Sequence, residues 1–145
     1  VVCCDTLEHI APEQRHQSVL ELARVAQQKL LLVFPSGPEA LKMYQQLAVQ
    51  FGATLPIWLH EHIAYGLPDA EQVASWLQQA GWQVTLEWYE SIAVHQTLLK
   101  WERFWLVKLV TYSLMRLFGR WLAPRLLVPM AGSKLRVLLH AIRST

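Results

Sequence analysis

The chain has 145 residues, 53% of them hydrophobic, which is enough for one domain with a real core and rules out a disordered segment. Its net charge of +2 is too small to point to nucleic acid as a partner. The charge is unevenly spread, because residues 98–130 carry six basic side chains and one acid, a net +5 that leaves −3 for the rest.

Val1 to Cys4 is apolar without alternation, the pattern of a short strand buried on both faces of a parallel sheet. Its two cysteines, Cys3 and Cys4, are adjacent, which is poor geometry for a disulfide and no metal-binding spacing. Both are expected to be reduced, in a cytoplasmic protein. No basic-then-apolar leader opens the chain and its first residue is not Met, so a truncated start is expected rather than secretion. The run then breaks into Asp5-Thr6-Leu7-Glu8-His9, and a polar break where a strand ends is the usual address of a ligand site in an open α/β sheet.

A helix follows, with Pro12 in its first turn and Val19, Leu22, Ala23 and Ala26 as its apolar stripe. Lys29 to Phe34 repeats the strand signature and stops at Pro35-Ser36-Gly37-Pro38. Strand, helix and strand with short connections make a βαβ unit, hence a parallel pair with a right-handed crossover. Glu39 to Gln50 reads as a second helix, with Leu41, Tyr44, Leu47 and Ala48 as its apolar face and Gly52 past its end. Residues 53–68 read as an irregular loop over one edge of the sheet. Asp69 and Gln72 form a helix-capping pair ahead of Val73, Trp76, Leu77 and Ala80, and Gly81 ends that helix. Trp82 to Tyr89 alternates as a strand with one polar face, and Lys134 to Arg143 is read as the last strand.

Residues 98–130 have helical composition but no clean polar face, since Lys100, Arg103, Lys108, Arg116 and Arg120 project in several directions. Their longest uncharged run, Leu109 to Met115, falls far short of the roughly 20 residues of a membrane span. Trp101, Trp105 and Trp121 among basic residues suit either helices that cap the domain or a cleft, or an interfacial contact with a membrane.

His60, Glu61 and His62 have the right chemistry for zinc or iron, but a His-x-His pair in a loop lacks a third ligand at a diagnostic distance. No metal is expected there, and His62 and Tyr65 are instead candidate substrate contacts. His16, His95 and His140 have no partners in sequence and read as surface or packing residues. No nucleophile elbow, phosphate loop or dinucleotide fingerprint is present.

Three ordered segments carry a family resemblance: Cys4 to Ile10, then Arg15 with Leu20 to Val25, then Leu30 to Pro35. They resemble the fourth strand with its Leu-Glu-His turn, the following helix and the fifth strand of class I S-adenosylmethionine-dependent methyltransferases. Glu61 to Pro68 is similar to a segment that some bacterial members carry before a helix and a Gly-aromatic strand start, here Gly81-Trp82. The likeness covers residues 1 to 90 and continues beyond them only by strand position. It implies a partial Rossmann-like methyltransferase fold, an α/β domain in which residues 1–145 supply strands four to seven and residues 98–130 form a helical insertion or cap.

The resemblance further implies S-adenosylmethionine as cofactor, bordered by Cys4, Asp5, Thr6, Leu7 and His9. Glu8 and His9 have helix-entry capping as their plainer role. The glycine-rich turn and the ribose-binding acid of that family have no counterpart in this sequence, so binding by the chain alone should be weak or absent. The implied acceptor is a small molecule, a lipid or a glycan-related compound, and contact of residues 98–130 with the inner membrane surface would favour a lipid-linked one. The alternative is a non-catalytic fragment that binds a partner or membrane through residues 98–130. An unpaired edge on the first strand predicts self-association.

Overall fold

The computed structural model describes residues 1–101 and 132–143, together with positions 109, 110, 113 and 116. Four strands form one sheet: β1 (Val2–Cys4), β2 (Lys29–Pro35), β3 (Trp82–Ser91) and β4 (Lys134–Arg143), in the order β1-β2-β4-β3. β1 and β2 are parallel, joined through α1 (Pro12–Val25) as the βαβ reading requires. β4 runs antiparallel to both β2 and β3 and therefore sits inside the sheet although it comes last in the chain. Further helices among the described residues are α2 (Pro38–Phe51), α3 (Ile57–Tyr65), α4 (Ala70–Gln79) and α5 (Ile92–Trp101), and positions 109, 110, 113 and 116 are helical as well.

The core has two parts. Val19, Ala23 and Ala26 of α1 and its C-cap, with Ala70, Val73, Ala74 and Leu77 of α4, pack against Leu30, Leu32, Phe34, Leu139 and Ala141 of the sheet. Each of these large side chains is fully removed from water and contributes about 2 kcal/mol by burial. Leu31 and Val33, alternate residues of β2, point to the opposite face and are only half-buried. The second part joins Ala40, Met43, Tyr44 and Leu47 of α2 to Leu59 of α3 and Leu135 of β4. Because Arg136 pairs with Pro35, this second cluster lies beside the carboxyl end of β2.

Two polar side chains lock these parts together. Arg15 is buried, and its Nε donates to the carbonyls of Leu7 and Ile10 at 3.1 and 3.0 Å while its Nη2 donates to Tyr65 and Gly66 at 3.2 and 2.6 Å. Ser36 Oγ donates to the Pro68 carbonyl at 2.7 Å and accepts from Ala70 N at 3.1 Å, tying the end of β2 to the start of α4. Asp69 caps α4 as expected, its Oδ1 accepting from Gln72 N at 2.9 Å.

Three expectations need correction. Residues 53–68 are not a loop: Ile57–Tyr65 form α3, whose inward face is Leu59 and His62. An inward histidine interrupts the apolar stripe by which a helix is recognised, and Gly66 ends the helix at φ +66°. β1 is not buried on both faces, since Val2 is 65% exposed at the rim of the sheet. On α2 the buried residues are Ala40, Met43, Tyr44 and Leu47, while Leu41 and Ala48 are half-buried. The helical cap expected over residues 98–130 lies, apart from the end of α5 and four single positions, outside the described residues. No helix among the described residues is long and apolar enough to cross a membrane.

Candidate functional site

The chain turns sharply where β1 ends. Asp5 adopts φ +49°, its amide donates to the Val33 carbonyl at 2.9 Å, and Thr6 Oγ1 donates back to the Cys4 carbonyl at 3.0 Å. A single 3-10 turn, Leu7–His9, then leads towards α1. A recess lies on each side of this turn. One is a groove of about 570 Å³ between β1 and α1, walled by Cys3, Thr6, Leu7, Ile10, Ser18 and Leu22 among others. The other is a smaller cavity of about 250 Å³, lined by Glu8, His9, Tyr44, Trp58, His62 and Arg136 together with Asp5, His95 and Leu99.

The cavity is built from five separate segments. His9 Nδ1 donates to Glu61 Oε2 at 2.6 Å, which orients the ring and leaves Nε2 facing His62 Nε2 at 3.4 Å. Tyr44 and Trp58 present ring edges to the His62 imidazole at centroid distances of 5.0 and 5.3 Å. Opposite them, Arg136 is clamped between Asp5 and Glu90, the latter at 2.8 Å, and Glu90 also accepts from His95 Nδ1 at 2.7 Å. Asp5 and Glu90 are the two non-glycine residues with positive φ among the described residues. Such backbone costs about 1 kcal/mol or more, and here it brings both carboxylates onto one guanidinium.

Burial sets the protonation states. His62 is pushed down to about 4, first by burial and then by the neighbouring His9 and Arg136, so it is neutral at pH 7. Burial raises Glu8 above the ordinary carboxylate range. Burial opposes ionisation of Glu90 too, but the His95 hydrogen bond and the charges of His95 and Arg136 outweigh it and hold Glu90 low. Arg136, likewise desolvated, is held above its usual value by Asp5 and Glu90. Two buried atoms have no hydrogen-bond partner among the described residues, Glu8 Oε2 and His62 Nδ1. A neutral imidazole, a second imidazole oriented by Glu61 and a buried carboxyl can together take a proton from a bound molecule or hold a Lewis acid against it.

The residues singled out from sequence divide between the two recesses. Thr6 and Leu7 line the groove, Asp5 and His9 line the cavity, and Cys4 is exposed and belongs to neither lining. His62 faces the cavity as a substrate contact would, whereas Tyr65 is 39% exposed and outside the lining, its carbonyl serving Arg15. The sequence reading missed Tyr44, Trp58, His95 and Arg136. Tyr44 reads as ordinary core, and Arg136 reaches Asp5 across 131 positions with no local signal. Of His60, Glu61 and His62 only His62 joins a set of possible metal donors, and its two companions, Glu8 and His9, come from the turn after β1, brought up against α3 by the Arg15 bonds. His16 behaves as a packing residue, edge-on to Trp76 at 5.0 Å.

No protein-family model, curated protein or solved structure matches this chain.

Proposed function

We propose that this chain is the C-terminal part of a methyltransferase that uses S-adenosylmethionine, with the cofactor against the groove and the methyl acceptor in the cavity. The observation that carries the reading is the Asp5 turn, strained and placed at the carboxyl end of a parallel strand, with one recess on each side. The four strands match the number that the sequence resemblance assigns to this chain.

The groove suits the cofactor in size and lining. Its 570 Å³ falls within the range of roughly 300–1,000 Å³ of small-molecule sites. Leu7, Ile10 and Leu22 offer apolar contact for an adenine ring, and Thr6, Gln14 and Ser18 offer hydrogen bonds for hydroxyls. When bound, the cofactor would supply an electrophilic methyl group on a positively charged sulfur.

The rest of the work falls to the chain's own side chains. Tyr44 and Trp58 give the cavity aromatic walls that suit the flat face of a sugar or an aromatic acceptor. The cavity's 250 Å³ admits one small group rather than a polymer segment, which favours a small-molecule or lipid-linked acceptor. Glu61 holds the His9 ring so that Nε2 faces that group, and in-line positioning is the main requirement of methyl transfer.

Titration calorimetry of S-adenosylmethionine and S-adenosylhomocysteine into the purified chain tests the reading. Binding is expected to be weak but measurable, and Ser18→Trp, which fills the groove from its rim, should reduce it at least tenfold. Binding untouched by Ser18→Trp would place the cofactor elsewhere, and no heat with either ligand at millimolar concentration would remove the groove as a cofactor site.

A further inference from the structure

We propose that Glu8, His9 and His62 bind a divalent first-row metal ion, with Zn²⁺ the best match to the donor set, at the floor of the small cavity. The proposal rests on donor geometry and stands without the methyl-transfer reading. One donor atom from each of the three residues lies within 4.8 Å of the others, and all three line the cavity. A tetrahedral ion with imidazole ligands at about 2.0–2.1 Å holds their nitrogens about 3.4 Å apart. The Nε2 atoms of His9 and His62 are 3.4 Å apart already. That distance is also long for a good hydrogen bond between two rings, so ligation accounts for it better.

A second observation points to a ligand. Glu8 is 1% exposed, and its Oε2 is a buried oxygen without a partner among the described residues. A carboxylate stranded in this way costs stability unless something positive meets it. Arg136, whose charge acts on Glu8, is already held by Asp5 and Glu90, and Arg15 spends its donors on backbone carbonyls. An ion between the two imidazoles would meet the Glu8 oxygen after a side-chain adjustment of an ångström or so.

The surroundings of His9 fit ligation. His9 donates its other ring proton to Glu61 at 2.6 Å, the arrangement in which a carboxylate orients a metal-binding histidine and raises its basicity. Two histidines and one carboxylate match catalytic zinc sites, which keep a further position open. That position would face the cavity. If the cavity holds a hydroxylated methyl acceptor, as proposed above, the ion lowers the hydroxyl pKa and the lone pair of His9 serves the ion rather than the proton.

The test is to strip the full chain with chelator, titrate it with Zn²⁺ by calorimetry and with Co²⁺ by visible absorption. One equivalent should bind, and Co²⁺ should give the intense d–d bands of a four- or five-coordinate site. Glu8→Gln and His62→Gln should each weaken binding at least a hundredfold, and Glu61→Gln about tenfold. His60→Ala, on the exposed side of the same helix, should leave the affinity unchanged. Should the buried variants fold poorly, the comparison of Glu61→Gln with His60→Ala decides, since both side chains reach solvent. No uptake at 100 µM, a weak octahedral Co²⁺ spectrum, or a loss on His60→Ala equal to that on Glu61→Gln would each overturn the proposal.

Discussion

Arg15 and Glu8 lie close to one turn of the chain, both buried, and they differ in whether their polar atoms are answered. Arg15 spends its guanidinium on four backbone carbonyls from two segments distant in sequence, so its polarity goes into holding the fold. Glu8 keeps an oxygen unpartnered beside two imidazoles and a cavity. Satisfied buried polarity specifies structure, whereas unsatisfied buried polarity that costs stability marks a site kept for another reason. The contrast separates a clamp from a centre within one small region.

Replacing Arg15 should show the larger effect. Arg15→Met preserves the apolar stem but strands four carbonyls, and the expected loss is about 3–4 kcal/mol, read as a fall of the urea midpoint. Arg15→Lys keeps the charge without the fork and should recover less than half of that loss. If Arg15→Met cost under about 1 kcal/mol, water would be replacing the guanidinium and the clamp reading would fail.

Glu90 belongs to the clamp side of the comparison although its partners Arg136 and His95 line the cavity. It pairs with Arg136 and His95, and its folded-state pKa is depressed below the value it has unfolded. Such a group contributes stability that is present above its unfolded pKa and is lost as pH falls through the folded one. Glu90→Gln should therefore cost about 1–2 kcal/mol at pH 7, and the gap from wild type should shrink as pH drops below 4.5. A gap that stayed constant from pH 7 to pH 3 would mean that packing, not the ion pairs, explains the loss.

Glu8→Gln should move the other way. In the metal-free chain it removes a buried charge at almost no change in shape, and thermal stability at pH 7 should rise by about 1 kcal/mol. The same substitution is expected to destroy metal uptake, so a gain in stability with a loss of binding is the signature of a site. Destabilisation comparable to Arg15→Met would instead place Glu8 among the structural residues.

What could be read from the sequence follows the same division. The face built by Val19, Ala23, Leu30, Leu32, Val73 and Leu77 repeats at the periods of a helix and a strand, so its elements and the parallel pairing were legible residue by residue. The cavity obeys no period. α3 was hidden because its inward position 62 is a histidine, and the partners of that histidine come from the Glu8-His9 turn, Tyr44 and Trp58. The Asp5 turn was legible as an address, being a polar break at a strand end. Its clamping by Arg136, from the far end of the chain, was not.

The two edges of the sheet offer a final and smaller contrast. Among the described residues β1 pairs only with β2, and β3 only with β4, so each presents a free edge. β3 is the longer, but it bears Gln83, Thr85 and Glu87 and holds Glu90 at positive φ, features that discourage edge pairing. β1 is three residues long, opens with exposed Val2, and adjoins the apolar groove. Self-association should therefore run through β1. Val2→Lys, at a position 65% exposed, should change stability by no more than about 0.5 kcal/mol while shifting sedimentation towards the monomer. Thr85→Lys should leave the sedimentation profile as it was. The opposite pattern would make β3 the adhesive edge and would show that length outweighs apolar character here.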